Sequence, residues 1–302
     1  MNQELVRKTD LALSGLTSHG LLTVEQQDAF FRKLIAQPTL VGLARTVFMK
    51  NPTMEINKVG FASRILVPGP ASHSAIAASL RVGPDLTQVT LTSVAARAVI
   101  WLPYDVLEDN IERDNFSDTV MDLAAERVSL DTEELVLLGD TSIVGSDAFL
   151  GMANGVLTQT TTNVVNAGGK ALCKEVLRDA ALALPDQYVR NRANYRFLVS
   201  HANEIMYRDS LADRQTVVGD NIIQGLGQVM GFGTPVVPVA LMPSTTALFC
   251  DPKNIIVGFH RNVLVETDKD IELQSHKIVI SLRVAVALEE EDSMVKITNL
   301  AV

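Results

Sequence analysis

The stretch GFASRILVPGPASHSAIAASL, Gly60 to Leu80, carries a single charge, Arg64, in its twenty-one residues. A β-prone run leads into Pro68-Gly69-Pro70 and then into a second small, apolar run. That is the punctuation of a hairpin. A hairpin end in water is normally polar, because an apolar strand edge templates aggregation. No catalytic residue in the stretch explains the exposure. A chain like this must fold so that another surface covers the hairpin.

Composition points the same way. The 302 residues are 47% hydrophobic and 20% charged, with mean hydropathy +0.19. A length of 302 suggests about two domains. Near 300 residues, roughly three quarters of the unfolded surface is buried on folding. Aromatics make up only 5%, so the apolar excess is Ala, Val, Leu and Ile. It suits a chain that also buries surface between subunits, where permanent interfaces resemble a core cut in half.

The net charge of -9 is unevenly spread. Residues 1–100 hold ten Lys/Arg against six Asp/Glu, net +4, and residues 101–302 hold 16 against 29, net -13. Residues 105–140 hold twelve acids against Arg113 and Arg127, net -10. Solvation alone accounts for an acidic face. Complementarity is the sharper reading, with a basic hairpin laid across an acidic helix on a neighbour.

Along the chain, Thr23 and Gln26 form a capping box before VEQQDAFFRKLIAQ, and Pro38 stops that helix. TLVGLARTVFM reads as extended. MEINKVGFASRILV and TQVTLTSVAARAVIWL read as the two arms of the hairpin. The longest helix is expected from about Asn115 to Leu138, with Gly139 in the usual C-cap position. A second helix is expected over about Lys170 to Leu184, and Ser200 caps a third through HANEIMYRDSL. YRFLVS, TPVVPV, TALFC, NVLVETD, KIVISLRVAVALE and MVKITNL read as strands, so the fold class is α+β.

Chemical motifs are tested and refused. GLGQVMGFG puts Met230 where a dinucleotide loop needs its third glycine, and it runs into Pro235 and a strand. In DTSIVGSDAFLG, Asp140, Ser142 and Gly145 mimic the start of a calcium loop, but Val144 and Gly151 occupy ligand positions. His19, His73, His201, His260 and His276 form no metal-ligand spacing. Cys173 and Cys250 sit in apolar runs and read as reduced core thiols. The run EEED, Glu289 to Asp292, reads as a solvated turn between two strands. A pI of about 5.1 argues against a nucleic-acid-binding surface. The apolar run TPVVPVALMPSTTALFC is broken by Pro235, Pro238 and Pro243, so no membrane span is expected. The N-terminus lacks the apolar core of a signal peptide. The chain is expected to be soluble and intracellular, without catalytic, cofactor or metal sites.

The order of parts carries a resemblance. ARAVIWLPYDVLEDN, LDTEELVLLGDTSIVGSDAFLGMANGV, FLVSHANEIMYRDSLADRQ and the stretch from GFGTPVVPV to RVAVAL resemble, in that order, parts of the Hong Kong 97-type major capsid protein of tailed bacteriophages. The resemblance spans about residues 20–300. It implies an N-terminal helical arm (1–54), an extended loop (55–92) and a peripheral domain (93–158). The peripheral domain would hold a spine helix at about 115–138 and be completed by strands from about 261–302. An axial domain (159–260) completes the set. The resemblance further implies hexamers and pentamers closing an icosahedral shell around packaged double-stranded DNA, assembled in the bacterial host cytoplasm. The partners it implies are further copies of the chain, a portal protein, a separate scaffolding protein and optionally a decoration protein. On this resemblance, the short arm is expected to carry no fused scaffolding segment, with a separate scaffolding protein instead.

On this reading Lys58, Arg64 and Arg81 approach a neighbour's spine helix near Asp118, Asp122, Glu126 or Glu133. Some members cross-link through a lysine on the extended loop. Val67 to Pro84 holds no lysine, so a non-cross-linked shell is expected. An encapsulin-like shell enclosing cargo enzymes and an oligomeric α+β enzyme remain the alternatives.

Overall fold

A computed structural model describes residues 39–61, 64–67, 81–104, 116–143, 145, 147–212, 229–260 and 263–301. The expected helix after Thr23 and most of the hairpin end lie outside them. The described chain starts with helix α1 (Thr39–Leu43) and strand β1 (Arg45–Met49), followed by β2 (Thr53–Gly60), β3 (Asp85–Thr92) and β4 (Val94–Pro103). The long helix α2 (Phe116–Leu138) comes next, then α3 (Val156–Gln159), β5 (Val164–Asn166), α4 (Lys174–Ala183), β6 (Arg196–Val199) and α5 (His201–Ala212). The last third is β7 (Met230–Gly231), β8 (Thr234–Pro238), β9 (Ala247–Cys250), β10 (Ile255–His260), β11 (Leu264–Asp270), β12 (Ser275–Leu288) and β13 (Val295–Thr298).

The first sheet is organised by β12. Ser275 to Ser281 pair with β11 and β4 at once, and Val284 pairs with both Phe259 and Val94. β12 therefore has β10 and β11 along one edge and β4 along the other, and β1 joins β10 in parallel. The strand alternates by face. Ile278, Ile280, Leu282 and Val284 turn into a core with Ala124, Ala125, Val128, Val136 and Leu137 of α2. Val128 lies four and three residues after Ala124 and Ala125, and Val136 follows Val128 after eight, about two helical turns. Ala285 and Ala287 lie on the opposite face, against Met49, Leu91 and Ile256.

The second sheet runs β5-β13-β9-β6-β8-β7. One face packs on α4 through Phe197, Val199, Phe249, Val295 and Ile297, with Val176, Leu177 and Ala180 opposite. Phe197 and Phe249 stack with centroids 4.4 Å apart. The alternate residues Leu198, Leu248 and Cys250 join the core beneath α2, so the two sheets share apolar contacts. Burial in that core, with Asp251 nearby, pushes the Cys250 thiol up to about 12. It is an inert core thiol.

Gly139 follows α2 as expected, and its backbone is not left-handed; among the described residues the positive-φ glycines are Gly145, Gly168, Gly169 and Gly233. Glycine is needed at 139 because a Cβ there would lie 2.2 Å from the Ala153 carbonyl oxygen. Thr39 to Leu43 is helical, not extended, because the Glu133 carboxylate accepts a 2.8 Å hydrogen bond from the Leu40 N–H. β10, within the stretch expected to be axial, pairs into the first sheet, and β13, assigned to the other unit, pairs into the second. Local periodicity does not encode which distant strand supplies a partner.

Candidate assembly surface

β2 and β3 form a two-stranded ribbon that pairs with no other strand among the described residues. The register runs from Thr53 opposite Thr92 to Gly60 opposite Asp85. Period-two alternation gives the ribbon two faces. Met54, Ile56, Val89 and Leu91 face the body and pack on Met49, Ile256, Ala285 and Ala287. The ribbon is thereby anchored at its base.

Toward its far end the described apolar residues are exposed. Val59 and Leu86 are cross-strand partners on the outward face, 68% and 72% exposed. Beyond them Phe61, Ile65 and Leu66 are 53%, 51% and 86% exposed. Patches of this kind mark interaction surfaces. Of Gly60 to Leu80, residues 60, 61 and 64–67 are described, and all of these but the half-buried Val67 are exposed.

The acidic turn after β12 acts as the junction of the fold, not as a solvated turn. Lys58 Nζ donates to Glu290 Oε1 at 2.8 Å and to the Glu289 carbonyl. Arg45 reaches the Glu289 carboxylate at 3.2 Å. Asn254 and Glu290 exchange two 2.8 Å hydrogen bonds between the Asn254 amide and the Glu290 backbone. Glu291 Oε1 accepts from the Thr161 N–H and hydroxyl and from the Thr162 N–H, which holds its carboxyl below the usual glutamate range. Glu289, Glu290 and Glu291 thus join β1, the ribbon, the Asn254 turn and the Thr161 loop. The run itself was the available signal, but its cationic partners lie more than 200 residues away.

The expected contact residues divide. Lys58 is committed to its own chain. Glu133 is fully buried against α1 and cannot meet a neighbour. These two expectations are withdrawn. Arg64 lies in the exposed stretch beyond the ribbon, and Glu126 is exposed on α2. Arg81 is exposed next to the return strand. Asp118 and Asp122 lie within α2, and their side chains are outside the described residues. The structure brings none of Arg64, Arg81 and Glu126 into an ion pair with one another among the described residues.

Elsewhere the refused motifs have local explanations. The Ser142 side chain and then its N–H, which donates to Asp140 Oδ1 at 2.8 Å, lower the Asp140 carboxyl pKa within a local turn. Phe232 and Gly233, both at positive φ, form the two-residue turn joining β7 to β8. Residues 213–228, including the start of GLGQVMGFG, lie outside the described set. His276 meets the Tyr104 ring edge-on at 5.1 Å, and burial lowers its pKa. No three His, Cys, Asp or Glu side chains converge among the described residues. No helix among them is long and apolar enough to cross a membrane.

No protein-family model matches the chain. The chain is 35% identical over 310 aligned residues to the "Putative prophage capsid protein YqbE" of Bacillus subtilis (strain 168), covering 99% of this chain and 98% of that one. Among solved structures it resembles the satellite phage P4 procapsid, which includes the size determination protein Sid. That match has a TM-score of 0.66 at 14% identity and covers 99% and 98% of the two chains. The capsid of the empty GTA particle matches with TM-score 0.61 at 16% identity over 88% and 90%. The SrpI encapsulin of Synechococcus elongatus PCC 7942 matches with TM-score 0.57 at 12% identity over 88% and 89%.

Proposed function

The chain belongs to the phage capsid proteins with the α+β Hong Kong 97-type fold, and from that premise we propose that it assembles as hexamers and pentamers into an icosahedral shell enclosing packaged phage DNA. The observation that carries the proposal is the ribbon. It is fixed to its own body at Leu91 and Lys58, yet it extends Val59, Leu86, Phe61, Ile65 and Leu66 into solvent. Burying such side chains is worth about 1.5–3 kcal/mol each. A second copy of the chain supplies the cover. Obligate contacts of this class bury on the order of thousands of Å².

Function here is binding, not turnover, and the matched proteins are named for capsids and shells, not for reactions. Arg64 and Arg81 are proposed to lie over a neighbour's α2 near Asp118, Asp122 and Glu126. Reversing both arginine charges should then weaken assembly and flatten its salt dependence; unchanged assembly removes this contact from the proposal. A net charge of -9 keeps the shell from holding DNA through phosphate contacts, which need Lys or Arg. A portal protein and a separate scaffolding protein are proposed partners, with a decoration protein optional. With no lysine between Val67 and Pro84 and Lys58 committed to Glu290, the shell is proposed to be free of covalent cross-links.

The encapsulin match supports a second reading, a shell that encloses protein cargo. Electron microscopy and size-exclusion chromatography of the protein, alone and with its neighbouring genes, test both. Closed shells, tubes or hexameric rings support assembly, and DNA or a cargo enzyme inside the shells decides between the readings. A well-behaved monomer with the partner genes present overturns both and reopens the enzyme reading.

A further inference from the structure

The ribbon base covers only part of the outward face of the first sheet. It packs on Ala285 and Ala287 at one end of β12. Toward the other end, the same face carries Ala95, Arg97, Val99 and Trp101 of β4, opposite Arg283, Ser281, Val279 and Lys277 of β12. Val99 is 48% exposed and Trp101 44% exposed. Lys277 Nζ sits 4.7 Å from the centroid of the Trp101 ring.

Within this open half, Arg97, Arg283, Ser281 and His260 line a recess of about 60 Å³. Arg97 is opposite Ser281 and Arg283 is opposite Ala95, so the two arginines are diagonal neighbours on one face. Diagonal neighbours lie within reach of long side chains. Among the described residues neither guanidinium has an acidic partner. His260 Nδ1 is buried there and has no hydrogen-bond partner among the described residues. Two like charges beside an unsatisfied buried nitrogen and a hydroxyl leave the recess one partner short. The missing chemistry is that of an oxyanion, which takes forked hydrogen bonds from guanidinium groups.

We propose that this recess receives a carboxylate side chain from a second copy of the chain, seated on the open half of the sheet beside the ribbon. The inference rests on the assembly reading above. Three observations select a protein carboxylate over a DNA phosphate. Val99 and Trp101 offer apolar and aromatic area next to the cations, the combination enriched at protein–protein contacts. The surface is continuous with the face on which the chain's own ribbon already lies. The chain also has acids in surplus, 35 against 26 bases, so a second copy is the complementary surface always at hand.

The test uses the full chain co-expressed with its neighbouring genes. R97E and R283E should each raise the critical concentration for assembly by about tenfold or more while the melting temperature holds. R97K should assemble. Treating its particles with a carbodiimide should then join the new amine to the bound carboxylate as an amide, with the reagent leaving as its urea. Mass spectrometry of particles mixed from light and heavy isotope-labelled chains should show this link between copies. Normal assembly of both charge reversals with unchanged salt dependence overturns the proposal. So does a link found only within one chain. Loss of duplex DNA binding in R97E with assembly unchanged assigns the recess to phosphate and also overturns it. Failure of the wild type itself to form shells instead counts against the assembly reading, and absence of the intermolecular link in whatever oligomer forms then overturns the recess as well.

Discussion

The ribbon and the six-stranded sheet end in opposite situations. The ribbon strands TMEINKVG and DLTQVTLT alternate apolar with polar residues, whereas the sheet's central strands RFLV and ALFC run apolar. In the sheet, Phe197, Leu198, Phe249 and Leu248 are buried on both faces, because α4 covers one side and the shared core the other. In the ribbon only Leu91 is fully buried, and the apolar pair Val59 and Leu86 faces solvent. The difference lies in what packs against each strand. The sheet is covered on both faces within one chain, and the ribbon, among the described residues, is covered on one.

The sharpest break of this comparison is a pair of ribbon substitutions. L66S with L86S should abolish shell formation seen by electron microscopy, while the melting temperature of the unassembled chain stays within a few degrees, since exposed sites contribute within about 0.5 kcal/mol. F249A should do the reverse to the chain itself. It removes the partner of Phe197 at a site 1% exposed and should cost about 3–5 kcal/mol in denaturant unfolding. G155A comes next. Its new Cβ would lie 2.6–2.8 Å from three backbone atoms of Val136, Leu137 and Gly139, and about 3 kcal/mol is expected from that overpacking.

K58A probes the boundary between the two regions. Loss of its bonds to Glu290 and Glu289 should cost about 1 kcal/mol. Amide exchange in β2 and β3 should speed up while exchange in β6 and β9 does not change. The smallest effect concerns pH. The folded Glu291 carboxyl is held below its ordinary value of 4.5 by the Thr161 and Thr162 donors. Its contribution is therefore complete above about 4.5 and is lost as pH falls through the lowered value. E291Q should remove that acid-side component from a stability–pH profile, and an unchanged profile would exclude Glu291 as its source.

Much of the fold was legible locally. α2 was expected at about 115–138 and observed at Phe116–Leu138, because its apolar residues recur at helical spacing and Gly139 follows. Ser200 was readable as a cap and accepts from the Asn203 N–H at 3.2 Å. The apolar character of the stretch from Gly60 was readable from its single charge, and Phe61, Ile65 and Leu66 are exposed there. Other features were hidden. β5 and β10 were not singled out as strands, since short apolar runs do not show which partner will extend them. The EEED run looked like a solvated turn because Lys58 and Arg45 are distant in sequence. Glu133 looked like an outward acid, since one carboxylate on an amphipathic helix gives no sign that α1 will dock on it.

The sequence by itself therefore determined the helices, the order of parts and the apolar character of the hairpin, because period, capping and hydropathy are local properties of a chain. Only the tertiary structure decided which charges are spent internally, why Gly139 and Gly155 must be glycine, and that Arg97, Ser281, His260 and Arg283 meet in one recess. Each of these depends on a contact between residues far apart in the chain, and such contacts exist only once β12 has gathered its neighbours.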